Sequence, residues 1–412
     1  MQLLRLPASK TRDIVILFVL VIAILMFRRF DAFTNPQIWA EDCLIFFKQV
    51  EEEGVKSLFI PYSGYLLLMQ RLVVLFFHSL SVSYFIIPVL YNITAVIITF
   101  LVVYGMYESA VYMKLKHKIA YATWFLFMPV APDLTMIMGA TGWYANLYLL
   151  NYIFVGNTFR NNAIYALHTL IILILALTQP FSLFFSPATL LMLIIERKEM
   201  TFKKALPYIL VLAGGATQFV HIFYIDTGFY RGVPVPPEPN HLLRLFTNNV
   251  SQMFFFRSGV FPFAIGTFER IMSAVMLLPI AGVLYLIYKK ANARRKYVLL
   301  ISASVCFMAF IKTYWPNESF VLALENARYY LFPFACIGWL TIIALDDRMN
   351  LFYIGAYFIF FWVHRNHMRY SLGDKHWKKQ LIEFYDHKRD AIDINPDGWK
   401  FVPDRSKMRK TP

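Results

Sequence analysis

Charged residues are scarce in this sequence. Only 16% of the 412 residues are Asp, Glu, Lys or Arg, whereas 58% are hydrophobic. Soluble globular chains carry about 25% charged residues, so this composition predicts an integral membrane protein. The net charge of +15 would suggest a nucleic-acid partner for a soluble protein. Here the basic residues cluster between apolar runs, where topology and anionic membrane lipid account for them, and we expect no nucleic-acid partner.

Residues for metal, redox or disulfide chemistry are also few. The three cysteines lie far apart in the sequence, which excludes a disulfide framework and a cysteine-based zinc site. The histidines are dispersed, and no H-E-x-x-H motif, EF-hand loop or glycine-rich phosphate loop occurs. The sequence therefore predicts no particular cofactor. The one place that leaves room for a divalent cation is Asp42 together with the phosphate oxygens of a substrate.

Long apolar runs recur along the chain, each of about the length that crosses roughly 30 Å of hydrocarbon as a helix. We therefore predict an all-α polytopic membrane protein with about eleven transmembrane helices in residues 1–364, followed by a basic C-terminal tail, residues 365–412. The predicted spans are residues 13–30, 84–107, 119–133, 136–156, 163–178, 180–195, 205–225, 271–288, 297–313, 328–345 and 350–364.

The distribution of Lys and Arg predicts the orientation of the spans. One set of alternate loops contains "KLKHK", "ERKEMTFKK" and "KKANARRK", and by the positive-inside rule these loops face the cytoplasm. The first loop, residues 31–83, then faces outward. The tail conflicts with this pattern, because its basic residues favour the cytoplasm whereas eleven spans place it outside. The parity of the span count therefore stays open.

The first outward loop carries an acidic pair and an amphipathic stretch. Glu41 and Asp42 are adjacent within "WAEDCLIFFKQV". Further on, "YLLLMQRLVVLFFHSL" places its aliphatic residues along one helical stripe, with Gln70, Arg71 and His78 off it. This pattern is typical of an interfacial helix that lies flat on the membrane surface.

The acidic pair has two interpretations. A carboxylate at the outer membrane surface could act as general base on a hydroxyl nucleophile, and partial burial among aromatic residues such as Trp39 would raise its pKa toward that task. Alternatively, Glu41 and Asp42 are solvated charges, or a cap at the N-terminus of the helix that follows. The residues alone do not decide between these interpretations.

Two arginines are candidates for binding a lipid phosphate. Arg328, followed by Tyr329 in "ENARYYLFP", opens a predicted span at the outer boundary, where a guanidinium can bind phosphate with two hydrogen bonds. Arg and Tyr are also common as simple interfacial anchors. Arg71 is the second candidate, because its helix follows the acidic pair in the same loop.

Candidate sugar- and acceptor-binding residues combine aromatic faces with hydrogen-bonding groups. "PDLTMIMGATGWYANLYLLN" offers Asp133, Trp143 and Asn146 where two predicted spans turn outside, a mixture that suits a sugar ring. A loop cap with a tryptophan of the interfacial belt is the alternative. Trp39 and Tyr65, which flank the acidic pair in the first loop, complete the set.

The quoted segments carry a resemblance. The order of a first span, an outward acidic pair, an interfacial helix and many further spans resembles GT-C membrane glycosyltransferases. "WAEDCLIFFKQVEEEGVKSLFIPYSGYLLLMQRL", "NARYYLFP" and "INPDGWKF" are similar to a group of bacterial polytopic proteins. The resemblance implies a polyprenyl-phosphate sugar donor and a catalytic acid at Glu41 or Asp42, with Asp42 preferred as base. It assigns the donor phosphate to Arg328 and Arg71. The adjacent pair departs from the separated acidic motif of some GT-C enzymes.

The function that this resemblance implies is transfer of a sugar from a polyprenyl-phosphate donor to a lipid-linked or cell-surface glycan. The expected location is the bacterial inner membrane, with the active site facing the periplasm or exterior. One alternative is an O-antigen polymerase or ligase, which differs in taking a pyrophosphate-linked oligosaccharide. Another is a non-enzymatic transporter or flippase for such lipids, which would need ionisable residues or broken helices near mid-membrane.

Overall fold

The computed structural model describes residues 8–110, 113–128, 135–156, 162–225, 331–344 and 371–403, with residues 285, 289, 355 and 369. The described part is mainly helical, which confirms the predicted helical class. Its α-helices are α1 Ala8–Arg28, α2 Phe30–Thr34, α3 Lys48–Glu53, α4 Leu68–Ser79, α5 Ile87–Ser109, α6 Leu115–Thr123, α7 Thr141–Val155, α8 Asn162–Ala176, α9 Phe181–Glu196, α10 Phe202–Val220, α11 Leu331–Ala344 and α12 Trp377–Tyr385. An antiparallel pair of strands in the tail, β1 Ile392–Ile394 and β2 Trp399–Phe401, departs from an all-α fold.

Two helices in the described ranges are long and apolar enough to cross a membrane, Ile87–Ser109 and Phe202–Ile225. The second of these includes a π-helical turn, His221–Ile225, that continues α10. Shorter apolar helices are α4, α8 and α9. Three predicted spans, 271–288, 297–313 and 350–364, lie outside the described residues apart from isolated positions.

The predicted span 119–133 is wrong over its described part. Helix α6 ends at Thr123, a 3-10 turn runs from Trp124 to Phe127, and Met128 is extended with ψ of 140°. The physical reason lies in the next residue, Pro129, because a proline ring clashes with the preceding residue in the helical conformation. The apolar run is continuous in sequence, but the chain leaves the helical conformation at Met128.

Helices α8, α9 and α10 pack closely at two adjacent glycines. A Cβ atom on Gly214 would lie 2.6 Å from the Cβ of Ala176, and one on Gly215 would lie 2.4 Å from Ser186 Oγ. Larger residues would therefore separate the helices. Packing through small residues is how apolar helices approach one another when water provides no driving force. The glycines of "LAGGATQF" thus have a packing role.

Buried hydrophobic residues form two clusters. The larger one, the bundle core, contains residues of the long helices, such as Leu17 of α1, Val103 of α5 and Leu150 of α7. The smaller one joins the first loop to the tail and contains Phe47 and Phe401. We call it the cap core. The cap core packs the first loop against residues 371–403.

Helix α4 is oriented differently from the predicted interfacial helix. Its buried positions are Met69, Gln70, Arg71 and Val74, whereas Phe76 is exposed over 57% of its surface. Gln70 and Arg71, two of the three residues expected off the apolar stripe, thus face the interior. Hydrophobic periodicity does not reveal this arrangement, because the neighbours that receive Gln70 and Arg71 come from distant parts of the chain.

Candidate active site

The acidic pair lies at the start of a π-helical turn. Glu41 precedes the turn, which spans Asp42–Phe47 and continues into α3. π-Helical turns are rare in proteins, and those that occur are often located at functional sites. The Glu41 side chain makes no capping hydrogen bond to this helix. The Asp42 side chain binds residues of another segment instead.

Asp42 is buried and binds the backbone of a distant segment. Its Oδ1 accepts a hydrogen bond from the Gly139 N–H at 2.6 Å and its Oδ2 one from the Met138 N–H at 3.2 Å. A Cβ atom on Gly139 would lie only 2.8 Å from Oδ1, so glycine permits this approach. Asp42 is therefore neither a solvated charge nor a helix cap.

Burial also sets the ionisation of Asp42. Loss of water contact is the main effect, and the negative charge of Glu41 adds to it. The two backbone N–H groups act in the opposite direction but are outweighed, so the pKa of Asp42 rises to about 8. The neutral acid therefore predominates at pH 7.

A cavity of about 110 Å³ lies beside the acidic pair. Glu41 is one of its lining residues, whereas Asp42 is not. The Oε2 atom of Glu41 is buried and has no hydrogen-bond partner among the residues that the structure describes. Of the two acids, Glu41 is thus the one in position to meet a substrate. The other lining residues are Trp39, Phe46, Tyr62, Tyr65, Leu67, Ile137, Gly139, Ala140, Trp143 and Gln179.

Arg71 is fully buried next to this cavity. None of its three guanidinium nitrogens has a hydrogen-bond partner in the described ranges, and its Cζ lies 5.7 Å from the centre of the Phe46 ring. Burial lowers the pKa of Arg71 to about 10, which still leaves the group charged at pH 7. A buried cation to which the described residues offer no hydrogen bond is costly.

Two buried side-chain amides, those of Gln70 and Asn146, donate hydrogen bonds through their nitrogen atoms. These bonds fix the positions of the amide oxygen atoms. Gln70 Nε2 donates to the Gly139 carbonyl at 3.0 Å. Asn146 Nδ2 donates to the carbonyls of Gly142 and Thr178 at 2.8 and 2.9 Å. The amide oxygens of Gln70 and Asn146 are buried and accept no hydrogen bond from the described residues. The site therefore has spare hydrogen-bond acceptors.

Gln179 adds a third amide and a strained backbone. Its φ of +65° lies in the left-handed region, where a residue other than glycine pays a conformational cost. A hydrogen bond from its N–H to the Leu66 carbonyl, 2.8 Å long, holds the turn. A Cβ atom on Gly142 would lie 2.4 Å from Gln70 Nε2 and 3.0 Å from Gln179 Cδ. The two glutamine side chains therefore meet over this glycine.

The aromatic candidates are distributed around the cavity. Trp39, Tyr65 and Trp143 line it, whereas Asn146 lies behind this surface. The Trp143 ring packs against Phe181 with ring centres 4.8 Å apart. Trp143 thus belongs to helix α7 and to the bundle, not to a surface loop cap.

Three predicted site residues, Arg328, Tyr329 and Asp133, lie outside the described residues. The structure also adds two residues that sequence reasoning missed as site components, Gln70 and Gln179. Gln179 stands in "LTQPF", and a polar residue before a proline at the end of an apolar run was a detectable signal. Gln70 had no comparable signal, because its role depends on contacts with residues 139 and 142.

Within the described ranges, no group of three or more His, Cys, Asp or Glu side chains is placed to hold a metal ion. Comparison of the chain with protein-family models, with curated proteins and with solved structures gives no match.

Proposed function

We propose that this chain is a polytopic membrane glycosyltransferase of the GT-C type. It transfers a sugar from a polyprenyl-phosphate donor to a lipid-linked or cell-surface glycan. The proposed location is the bacterial inner membrane, with the cavity facing the periplasm or exterior and about eleven spans anchoring it. The two helices of membrane-crossing length support the membrane setting.

The observation that carries the proposal is the conjunction of a carboxylate and a buried guanidinium beside an aromatic cavity. Glu41 supplies the carboxylate on the cavity wall, and Arg71 supplies the cation. Phe46 links the two features, because its ring lines the cavity and also contacts Arg71. Glycosyl transfer from a lipid phosphate needs a base for the acceptor and positive charge for the leaving group.

We assign the base to Glu41, although Asp42 was preferred on sequence grounds. Asp42 does not line the cavity, and its elevated pKa keeps it largely protonated at pH 7. Its bonds to Met138 and Gly139 instead hold the segment that forms the adjacent cavity wall. Asp42 is therefore a positioning residue in this proposal.

The reaction is a single displacement at the anomeric carbon. Glu41 takes the proton of the acceptor hydroxyl, whose oxygen forms the new bond to that carbon. The bond from the carbon to the phosphate oxygen breaks, and its electron pair leaves with the lipid phosphate. Arg71 stabilises the charge of this leaving group. Arg71 does not itself line the cavity, so the phosphate meets the guanidinium at the wall that Phe46 forms, where the Phe46 ring contacts Arg71.

The amide oxygen of Gln179 accounts for binding of the sugar itself. Sugar hydroxyls are hydrogen-bond donors, and the buried oxygen of Gln179, which lines the cavity, accepts no bond from the described protein. Unsatisfied buried acceptors are costly and gain most from a donor. Aromatic faces at Trp39 and Trp143 supply the stacking surface.

The test is a mass comparison of surface glycans and lipid-linked oligosaccharides. Cells that lack the protein are complemented with wild type, Glu41→Gln, Asp42→Asn or Glu52→Gln, at equal membrane abundance. We expect Glu41→Gln to lower the transfer rate about 10²- to 10⁴-fold, the usual contribution of a general base, and thus to lose one sugar mass. Glu52→Gln is the matched control, because the Glu52 side chain is 58% exposed.

Unchanged glycans in cells without the protein would contradict glycosyl transfer. Full restoration by Glu41→Gln, together with loss in Asp42→Asn, would move the base back to Asp42. Loss in both variants at equal abundance is the result expected from a base and its positioning neighbour.

A further inference from the structure

The C-terminal segment 371–403 contacts the part of the first loop that leads into the acidic pair. The N–H of Leu372 donates to Asp31 Oδ2 at 3.0 Å, and the N–H of Lys375 donates to Gln37 Oε1 at 3.1 Å. Gln37 Nε2 in turn donates to Asp374 Oδ1 at 3.3 Å. These contacts join residues more than 330 positions apart in the sequence.

The same segment reaches the cavity wall through the backbone. Asn395 pairs with Trp39 in a parallel bridge, and its N–H donates to the Ile38 carbonyl at 3.4 Å. Asn395 Nδ2 donates to the Gly373 carbonyl at 2.9 Å, which fixes the segment internally. Trp39 lines the cavity and stands two residues before Glu41.

Side chains of the segment complete the cap core. Trp377 is 4% exposed, and its Nε1–H donates to the Tyr84 carbonyl at 3.0 Å. Phe401 lies edge-on to Phe47 of the π-helical turn, with ring centres 6.3 Å apart. The far end of the first loop is therefore held as well as its beginning.

We propose that residues 371–403 are a positioning element of the candidate site, a brace, and lie on the same side of the membrane as the first loop. The brace fixes Trp39 and the π-helical turn, and so fixes Glu41. This inference rests on the proposed function for its catalytic consequence. Its structural and topological parts are testable without any activity. It also sets the parity that the sequence left open, since an even number of spans must separate the first loop from the tail.

Cys43 is a natural reporter for the brace. It stands next to Asp42, is 1% exposed and belongs to the cap core. Burial raises the pKa of its thiol, which keeps it unreactive. Cys336 in helix α11 is fully buried in the bundle core and serves as an internal standard.

The first experiment measures N-ethylmaleimide labelling of each cysteine by peptide mass spectrometry in the detergent-solubilised full chain. Trp377→Ala opens the cap core, so we expect Cys43 to be labelled about tenfold faster or more, with Cys336 unchanged. Lys379→Ala is the control on the same helix, since the Lys379 side chain is 74% exposed. It leaves both rates at the wild-type value.

Unchanged Cys43 labelling in Trp377→Ala would overturn the brace. If Cys336 also becomes reactive, the whole chain has unfolded, and Trp377→Phe decides the matter. That variant keeps an aromatic ring but loses the bond to the Tyr84 carbonyl and part of the buried indole surface. We expect about a threefold faster labelling of Cys43, and no change would contradict the proposal.

The second experiment tests sidedness with a membrane-impermeant maleimide in cells whose outer envelope is permeabilised. Single exposed cysteines are placed at Val55 in the first loop, 64% exposed, and at Lys379 in the brace. We expect both to react from outside. Reaction of one without the other would overturn the shared side. Reaction of both only after lysis would support the brace but contradict the outward-facing site of the proposed function.

Discussion

Three arginine side chains, at positions 28, 29 and 71, are at least 98% buried in the described part of the chain. Arg28 and Arg29 donate hydrogen bonds to described residues, whereas Arg71 does not. Arg28 donates to the Leu126 and Met128 carbonyls. Arg29 donates through Nε and Nη2 to both oxygens of Asp31. These arginines join the end of α1 to neighbouring segments.

Arg71 is equally buried, but the described protein provides it with no hydrogen bond. Its guanidinium lies instead against the face of the Phe46 ring. The comparison teaches that burial alone does not tell whether the surrounding protein bonds a cation.

Two asparagines of helix α7 repeat the pattern. Asn151 exchanges hydrogen bonds with Ser109 Oγ and accepts one from Tyr121 OH at 2.7 Å, so its side chain is satisfied within the bundle. Asn146, about one and a half turns earlier, keeps an oxygen with no partner in the described ranges. In each comparison, the residue that lacks a hydrogen-bond partner among the described residues, Arg71 or Asn146, is the one that belongs to the candidate site.

The largest expected effect is on the free energy of unfolding and comes from replacing Arg29, an arginine whose hydrogen bonds are satisfied within the protein. Arg29→Met removes the bonds to Asp31 and a 2.6 Å bond to the Thr135 carbonyl, and it leaves a largely buried carboxylate without its cation. We expect a loss of about 3 to 5 kcal/mol of unfolding free energy. Denaturant unfolding of the purified protein in detergent measures it. A loss below about 1 kcal/mol would place Arg29 outside the structural class.

Arg71→Met tests the unsatisfied side and has the opposite sign. Removing a buried charge that lacks a partner should leave the protein without substrate as stable as wild type, or more stable by about 1 to 3 kcal/mol. Sugar transfer should nevertheless be lost. The same unfolding assay, with glycan mass as the second readout, checks both parts. Destabilisation comparable to Arg29→Met would remove the contrast.

Burial of Asp42 makes the free energy of unfolding depend on pH. Its pKa is raised from about 3.9 in the unfolded chain to about 8 in the fold. The folded state therefore binds more protons between these values, and the free energy of unfolding falls as pH rises. The slope reaches at most about 1.4 kcal/mol per pH unit.

Unfolding at pH 5, 6, 7 and 8 and constant ionic strength measures this dependence. Asp42→Asn cannot titrate, so its stability should change less with pH than that of wild type. Parallel curves for the two proteins would contradict a raised pKa at Asp42.

The smallest expected effect concerns the glycine that contacts Asp42. In Gly139→Ala the new methyl carbon would lie 2.8 Å from Asp42 Oδ1 and 3.2 Å from Phe46 Cε2. We expect a loss of about 1 kcal/mol or somewhat more, since overpacking forces a shift of held groups. Gly355→Ala is the matched control, because no described atom lies within 4 Å of its Cβ position. Equal stability of both variants would show that Asp42 is not tightly held.

The sequence by itself determined the helical class and the position of most described helices. Long apolar runs give α5 and α10 directly, because a helix satisfies its own backbone hydrogen bonds within the run. The sequence also drew attention to Glu41 and Asp42, since adjacent acids among aromatic residues are conspicuous at any point of an apolar chain.

Tertiary structure alone decided which acid meets the cavity, that Arg71 is buried without a hydrogen bond from the described residues, and that residues 371–403 pack on the first loop. Each of these facts depends on contacts between segments far apart in sequence, such as Asp42 with residues 138 and 139. Periodicity reports which face of a helix is apolar, but not what lies opposite it. The physical reason is that burial and partner satisfaction are properties of the assembled neighbourhood, and no residue carries them in its own sequence context.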